Sequence, residues 1–344
     1  MTLTNPSRLV MKNTDLFTDC HLLLLNPDAD LLLQELACVC ASVTALTTDL
    51  MHYQRLSHSL PDNVTVHFAA DLANVTLPAL DVALIRLPKA REHLAYFTAL
   101  AASVMPADGP ILWVGDNKGG IRSAAKTAAP WCDNISKVAS GAHCQMLHGI
   151  NRAQKPWNLD DWWLNHTVPT PDGELILSSL PGVFGHGTLD QGTKLLLEHL
   201  PKIPQGRVLD FGCGDGIIGA FLAKRNPSID LLMVDINAMA LAASQRSANK
   251  AGVNAAVLAS DGLSAVTGQF DLIVSNPPFH QGFDQTFDTA RQFIRDAVKQ
   301  LKPGGQLIIV ANQHLPYGDD LNHAFGRVNI IGQDNKFKIY ADRK

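Results

Sequence analysis

No stretch of this 344-residue chain is apolar for long enough to span a bilayer, and its opening "MTLTNPSRLVMKN" has no apolar run followed by a small-residue cleavage site. Neither a membrane span nor a secretory leader is expected, and the protein is placed in the cytoplasm. Cysteine is scarce: Cys20, Cys38, Cys40, Cys132, Cys144 and Cys213 form no C-x-x-C pair and have no partnered histidine spacing, so neither a disulfide framework nor a metal site is expected. A basic arm is missing too. Up to Asp160 there are 12 Lys and Arg against 14 Asp and Glu, and beyond it 16 against 18. A nucleic-acid partner would therefore have to be held by local patches. With 46% hydrophobic and 17% charged residues the chain is globular rather than disordered, and its length is enough for two domains.

What the chain does have is a repeated β-α grammar. In the second half "GRVLDFG", "IDLLMVDI", "AAVLASDG" and "FDLIVSNPP" read as strands, and "IIGAFLAKRN" and "AMALAASQRSANKAG" as helices between them. A helix over "TARQFIRDAVKQLKPGG" leads to the strand "QLIIVAN". Such alternation predicts a mostly parallel sheet with helices on both faces. The tail "RVNIIGQDNKFKIYADRK" predicts a hairpin that adds antiparallel strands, for seven in all. The first half repeats the pattern: "DVALIRLPKAREHLAYFTALAASVMPADGPILWVGDNKGG" runs in step with "DLIVSNPPFHQGFDQTFDTARQFIRDAVKQLKPGGQLIIVANQHLP". Two tandem Rossmann-like α/β domains follow, a degenerate one over 1–160 and an intact one over 181–344, with 161–180 as linker. The first copy has "HLLLLNPDAD" in place of "RVLDFGCGDG" and "RLPKAR" in place of "SNPPFH". It should bind no cofactor, and Lys89, Arg91, Lys118, Arg122 and Lys126 near its turns are candidate phosphate contacts, though scattered surface charges have the same appearance. The Trp-rich "KPWNLDDWWLNHTVPTPDG" at the junction reads as packing between domains rather than as a stacking platform.

The chemistry concentrates at strand ends. "VLDFGCGDGIIG" places Gly212, Gly214 and Gly216 at a strand-to-helix turn, where a glycine backbone can approach a ligand. The dinucleotide fingerprint G-x-G-x-x-G is absent, because Ile217 occupies its third glycine position. Asp210 would repel a pyrophosphate and suits a cationic ligand. Asp235, ending the next strand, can accept from both ribose hydroxyls, and Asp261, ending the third, is a candidate for an adenine amine. Each acid alone is a common cap or turn residue. Together they line the crevice where such sheets bind ligands. In "FDLIVSNPPFH" the strand stops at a turn that has lost two amide donors at Pro277 and Pro278, leaving acceptors beside Asn276 and an aromatic ring at Phe279.

The set "VLDFGCGDG", "VDIN", "SDG" and "SNPPF" resembles, in order, the motifs of class I S-adenosylmethionine-dependent methyltransferases over 181–344. With "GVFGHGTLDQGTKLLLEHLP", "NPPFH" and the degenerate first copy, the whole chain is similar to the ribosomal RNA small subunit methyltransferase C family. That resemblance implies S-adenosylmethionine as cofactor, held by Asp210, Gly212, Gly214, Gly216, Asp235, Asp261 and Asn276. It implies transfer to the N2 amine of guanine 1207 in 16S rRNA, within a small-subunit particle, by a monomer. Asn276, Pro277 and Phe279 would be catalytic, and Pro278, Phe279 and His280 would contact the base. Three alternatives stay open here: a large-subunit guanine-N2 methyltransferase, a glutamine-N5 methyltransferase of release factors, and a non-catalytic RNA-binding assembly protein. The α/β first copy speaks against the second, whose relatives carry a small helical bundle. Intact motifs in the second copy speak against the third.

Overall fold

The structure, a computed structural model, describes residues 2–153, 155–202, 205–277 and 283–344, without the side chains of 283–290. It divides into two compact units, Met1–Trp162 and Trp163–Lys344. Each is built on a seven-stranded sheet.

In the first unit the strands are β1 (His21–Leu25), β2 (Ser42–Thr47), β3 (Val64–Phe68), β4 (Val82–Arg86), β5 (Pro110–Asp116), β6 (Cys132–Gly141) and β7 (Cys144–Asn151), ordered β3-β2-β1-β4-β5-β7-β6. A separate hairpin, β8 (Leu164–Thr170) with β9 (Gly173–Ser179), follows. The second unit has β10 (Arg207–Phe211), β11 (Asp230–Asp235), β12 (Ala256–Ala259), β13 (Phe270–Ser275), β14 (Leu301–Asn312), β15 (Ile330–Gln333) and β16 (Phe337–Arg343). Their order, β12-β11-β10-β13-β14-β16-β15, repeats that of the first sheet. In both, the first five strands pair in parallel and the last two antiparallel.

The inner strands β1, β2, β4, β5, β10, β11 and β13 are mostly buried apolar runs because both sheet faces are covered there. Alternate residues point to opposite sides. Val208, Leu272 and Val274 join one core with Phe221 and Ile308, while Leu209 and Ile273 join another with Phe293 and Ile309. Each side chain of this size adds about 1.5–3 kcal/mol when removed from water, so the strand ends, not the strand centres, are left for chemistry.

Three places differ from the sequence reading. Residues 161–180, expected as a linker, carry the hairpin β8–β9, whose Val168, Leu175 and Leu177 enter the second core. The hairpin is tied to the helix Ala238–Ala251, since the Ser178 amide donates to Ser247 Oγ at 3.0 Å. The helix expected to run from Thr289 into "KPGG" instead spans Phe283–Gln300, and β14 starts directly at Leu301. There Leu301 pairs with Phe270, and the chain terminus takes up the glycines: Gly304 donates to Lys344 O and Lys344 to Gly305 O. The junction tryptophans also divide. Trp157 and Trp162 pack edge-on against Tyr96 in the first unit, at 5.0 and 5.2 Å, whereas Arg246 lies over Trp163 in the second.

Candidate active site

β10 ends at Phe211, and the helix Ile217–Arg225 begins after five intervening residues. Between them Gly212, Gly214 and Gly216 all have left-handed φ, of 71°, 55° and 84°. At Gly216 a side chain is also barred by space: a Cβ would lie 2.9 Å from Ser244 Cα. The loop is pinned by β11, because the amides of Gly212 and Cys213 both donate to Val234 O. Asp235 completes the hold, with Oδ2 accepting from Gly214 N at 3.0 Å and Oδ1 from Asn237 N at 2.9 Å.

Asp210 lies beneath this loop and does not line its cleft. It is fully buried, and Oδ2 accepts from Gly219 N at 2.8 Å while Oδ1 has no partner. Burial pushes its carboxyl up to about 7, against the Gly219 hydrogen bond that favours the anion. Gly219, inside the helix, is required by this packing: a Cβ there would come within 2.7 Å of Met233 Sδ and 3.0 Å of Asp210 Oδ2. Within the loop it is Asp215 that faces the cleft. Only 6% of its side chain is exposed; Oδ2 stands 3.6 Å from His166 Nε2, and burial again moves the carboxyl up to about 7. Desolvation moves His166 down. A cationic group beside Asp215 would favour its ionised form against that burial.

The cleft, about 400 Å³ with its part open to solvent included, is bordered by Gly212, Gly214, Asp215, Asp190, Thr193 and Asn276, among others. A second, of about 280 Å³, shares Asp190 and Asn276 and adds Pro277, Asn312, Leu315 and Phe337. Asn276 thus stands where two clefts meet, at the end of β13. Its Nδ2 donates to Asp190 Oδ2 at 3.0 Å and to Thr193 Oγ1 at 2.7 Å. Asp190 caps the helix Gln191–His199 by accepting from Thr193 N. Ser275, one residue earlier, ties the strand end to β10 by donating to Phe211 O at 2.7 Å.

The structure therefore brings together the glycine loop, Asp235, Asn276 and Pro277. Asp261 is exposed just past β12. Pro278, Phe279 and His280 lie outside the described residues. Sequence reasoning missed Asp190, Thr193, Asp215 and Gly219. A signal for the first two was present in "LDQGTKLLLEH", where an acid three residues before a threonine opens an apolar-periodic run.

A doubly wound sheet of this strand order, with a glycine loop after the first strand, an acid ending the second and an N-P-P turn after the fourth, defines a class I methyltransferase fold. The family model of the methyltransferase small domain matches residues 174–341, and that of its N-terminal domain residues 7–166. Curated proteins named ribosomal RNA small subunit methyltransferase C from Shewanella loihica and Shewanella sediminis are 42% and 41% identical, each over 99% of both chains. A solved structure of the T. thermophilus 16S rRNA N2 G1207 methyltransferase, in complex with AdoMet and guanosine, has the same fold. It superposes with a TM-score of 0.84 at 24% identity, covering 99% of this chain and 92% of that one. This chain belongs to the ribosomal RNA small subunit methyltransferase C family.

Proposed function

We propose that the second unit transfers a methyl group from S-adenosylmethionine to the exocyclic N2 amine of a guanine in 16S rRNA, the counterpart of the G1207 named for the T. thermophilus enzyme. Besides family membership, one observation carries the reading. The amide hydrogens of Asn276 are turned to Asp190 and Thr193, so its oxygen is the end presented to an acceptor amine. An exocyclic amine is a poor nucleophile because its lone pair is delocalised into the ring. Two acceptors holding its N–H bonds draw the nitrogen toward a tetrahedral shape and free that lone pair. Asn276 Oδ1 and the Pro277 carbonyl are those acceptors, and Phe279 stacks on the base with Pro278 and His280 beside it. S-adenosylmethionine, when bound, would supply a methyl carbon made electrophilic by the adjacent sulfonium, the sulfur leaving as a neutral thioether; the methylated nitrogen then loses its surplus proton to water or a neighbouring carbonyl.

The chain's own part is to bind and align. Backbone at Gly212, Gly214 and Gly216 would admit the ligand closely, and Asp235 and Asp261 would hold it by accepting hydrogen bonds. Asp215 supplies negative charge inside the cleft, and Asp210 acts from beneath by holding the helix at Gly219. Alignment of nitrogen, methyl carbon and sulfur provides most of the rate. Guanine N2 is hidden in duplex RNA, so the base is taken out of its stack. Residues 1–160 dock the RNA or support the catalytic domain, with exposed Lys118, Arg122 and Lys126 as phosphate contacts. The protein acts as a monomer in the cytoplasm, on RNA within a small-subunit particle; no described helix is long and apolar enough to cross a membrane.

Nucleoside mass spectrometry of ribosomal RNA from cells with and without the gene tests the substrate. N2-methylguanosine should disappear from the small-subunit RNA; its loss from large-subunit RNA alone, or no loss, would overturn the assignment. Asn276→Ala should lower turnover about 10²–10³-fold, the size seen when one positioned polar group at a reacting centre is removed, with the melting temperature little changed.

A further inference from the structure

We infer that Asp190 and Thr193 are positioning residues which decide the end of the Asn276 carboxamide that faces the reacting amine. The inference rests on the reading of Asn276 as the acceptor. A primary carboxamide is nearly symmetric in shape, and rotation by half a turn about its last single bond exchanges oxygen for NH₂. In one orientation Asn276 accepts from an amine; in the other it turns N–H toward N–H. Nothing in the sequence "SNPPFH" chooses between them.

The helix Gln191–His199 does. Both Nδ2 hydrogens are engaged, one by Asp190 Oδ2 at 3.0 Å and one by Thr193 Oγ1 at 2.7 Å. Asp190 Oδ2 also accepts from Thr193 N at 2.9 Å and lies 3.4 Å from Thr193 Oγ1, whose hydrogen points to it. The threonine hydroxyl thus spends its hydrogen on the carboxylate and keeps a lone pair for Asn276. A rotated Asn276 would set its oxygen against the Asp190 carboxylate and lose both bonds from Nδ2, and Thr193 could donate to that oxygen only by turning its hydroxyl hydrogen away from Asp190. Thr193 is 3% exposed, so water does not replace it readily. Asp190 and Asn276 border both clefts, which places the clamp where the two clefts meet.

Thr193→Val keeps the shape and removes the acceptor, and Thr193→Ser keeps the acceptor; Asp190 still caps the helix in both. Methyl transfer to small-subunit RNA would be measured beside S-adenosylmethionine affinity by calorimetry. The expected result is kcat about tenfold lower in Thr193→Val, cofactor affinity within about twofold, and recovery in Thr193→Ser. In an Asn276→Ala background Thr193→Val should have no further effect, because the group it orients is gone. Unchanged kcat in Thr193→Val, with Asn276→Ala still impaired, overturns the clamp and leaves the acceptor reading standing. Full turnover in Asn276→Ala overturns the acceptor reading itself. A loss in Thr193→Val that is matched by the loss in cofactor affinity, or repeated in the Asn276→Ala background, shows general damage to the cleft and also overturns the clamp.

Discussion

Strand pairing gives a position-by-position correspondence between the two sheets. Leu22 pairs with Val82 as Val208 pairs with Leu272, so Leu24 stands where Asp210 stands and Arg86 where Asn276 stands. By the same register Thr47 corresponds to Asp235, and Asp116 to Asn312. In the second unit these strand ends surround an open cleft. In the first they close on themselves: Arg86 Nε donates to Asp28 Oδ2 at 2.8 Å and its Nη2 to Asp116 Oδ2 at 3.2 Å. Thr4 Oγ1 also donates to Asp28, and Cys144 Sγ to Asp116. A guanidinium thus occupies the crevice that the other sheet keeps for a ligand. Two sheets of one topology differ at their strand ends because topology places those ends together, whereas the residues there decide whether the crevice is open or filled.

The comparison can be broken most sharply at Asp235. It holds both Gly214 N and Asn237 N, and its counterpart Thr47 is a buried hydroxyl that donates toward Asp49 O. Asp235→Ala should weaken S-adenosylmethionine binding about 10–100-fold, the loss of charged hydrogen bonds, as read by calorimetry. Equal affinity would mean that the strand-end acid does not separate the two units.

A middle-sized effect is expected at Asp210, where the first unit has Leu24. Burial raises the folded-state carboxyl to about 7, whereas the unfolded chain has it in the ordinary carboxylate range. Between about pH 4 and 7 the folded state therefore holds a proton that the unfolded state has lost, and stability from this group falls as pH rises through that window. Asp210→Asn should remove that fall, worth about 1–3 kcal/mol. Urea denaturation at pH 5 and 7.5 checks it; the same pH dependence in both proteins would locate the titration elsewhere.

The smallest effect sharpens the comparison from the other side. The ion cluster in the first unit is partly solvated, with side-chain exposures of 17% for Arg86, 24% for Asp28 and 44% for Asp116. Arg86→Ala should therefore cost only about 1 kcal/mol, a fall of about 2–4 °C in melting temperature. Cofactor stoichiometry should stay at one per chain, since neither the glycine loop nor an acid at position 47 is restored. Appearance of a second bound equivalent would show that Arg86 alone closes the crevice.

How much was legible in the sequence followed the range of the interaction. The glycine loop, the acid ending β11 and the Asn-Pro-Pro sequence after β13 are each written in a few consecutive residues, because a left-handed backbone or a missing amide is a local property. The repeat was legible for the same reason: runs such as "VALIR" and "LIVS" carry their burial in their composition. The helix Tyr317–Phe325 went unseen, since it opens after Pro316 and has a glycine in its first turn. The hairpin β8–β9 was read as linker because its packing partner, Ser247, is 69 residues from Ser178.

By itself, the sequence determined two tandem α/β sheets, the absence of the glycine loop and of the Asn-Pro-Pro motif from the first, and the strand ends of the second that hold the candidate site residues. Tertiary structure alone decided that Asp210 supports the loop from beneath while Asp215 faces the cleft. Burial depth depends on what covers a residue, not on its neighbours in the chain. It also decided the direction of Asn276, whose partners Asp190 and Thr193 are 86 and 83 residues away. And it decided that Arg86 fills a crevice, through carboxylates 58 and 30 residues distant. A side chain's identity is local, but the hydrogen bonds that orient it belong to whatever the fold brings within about 3 Å.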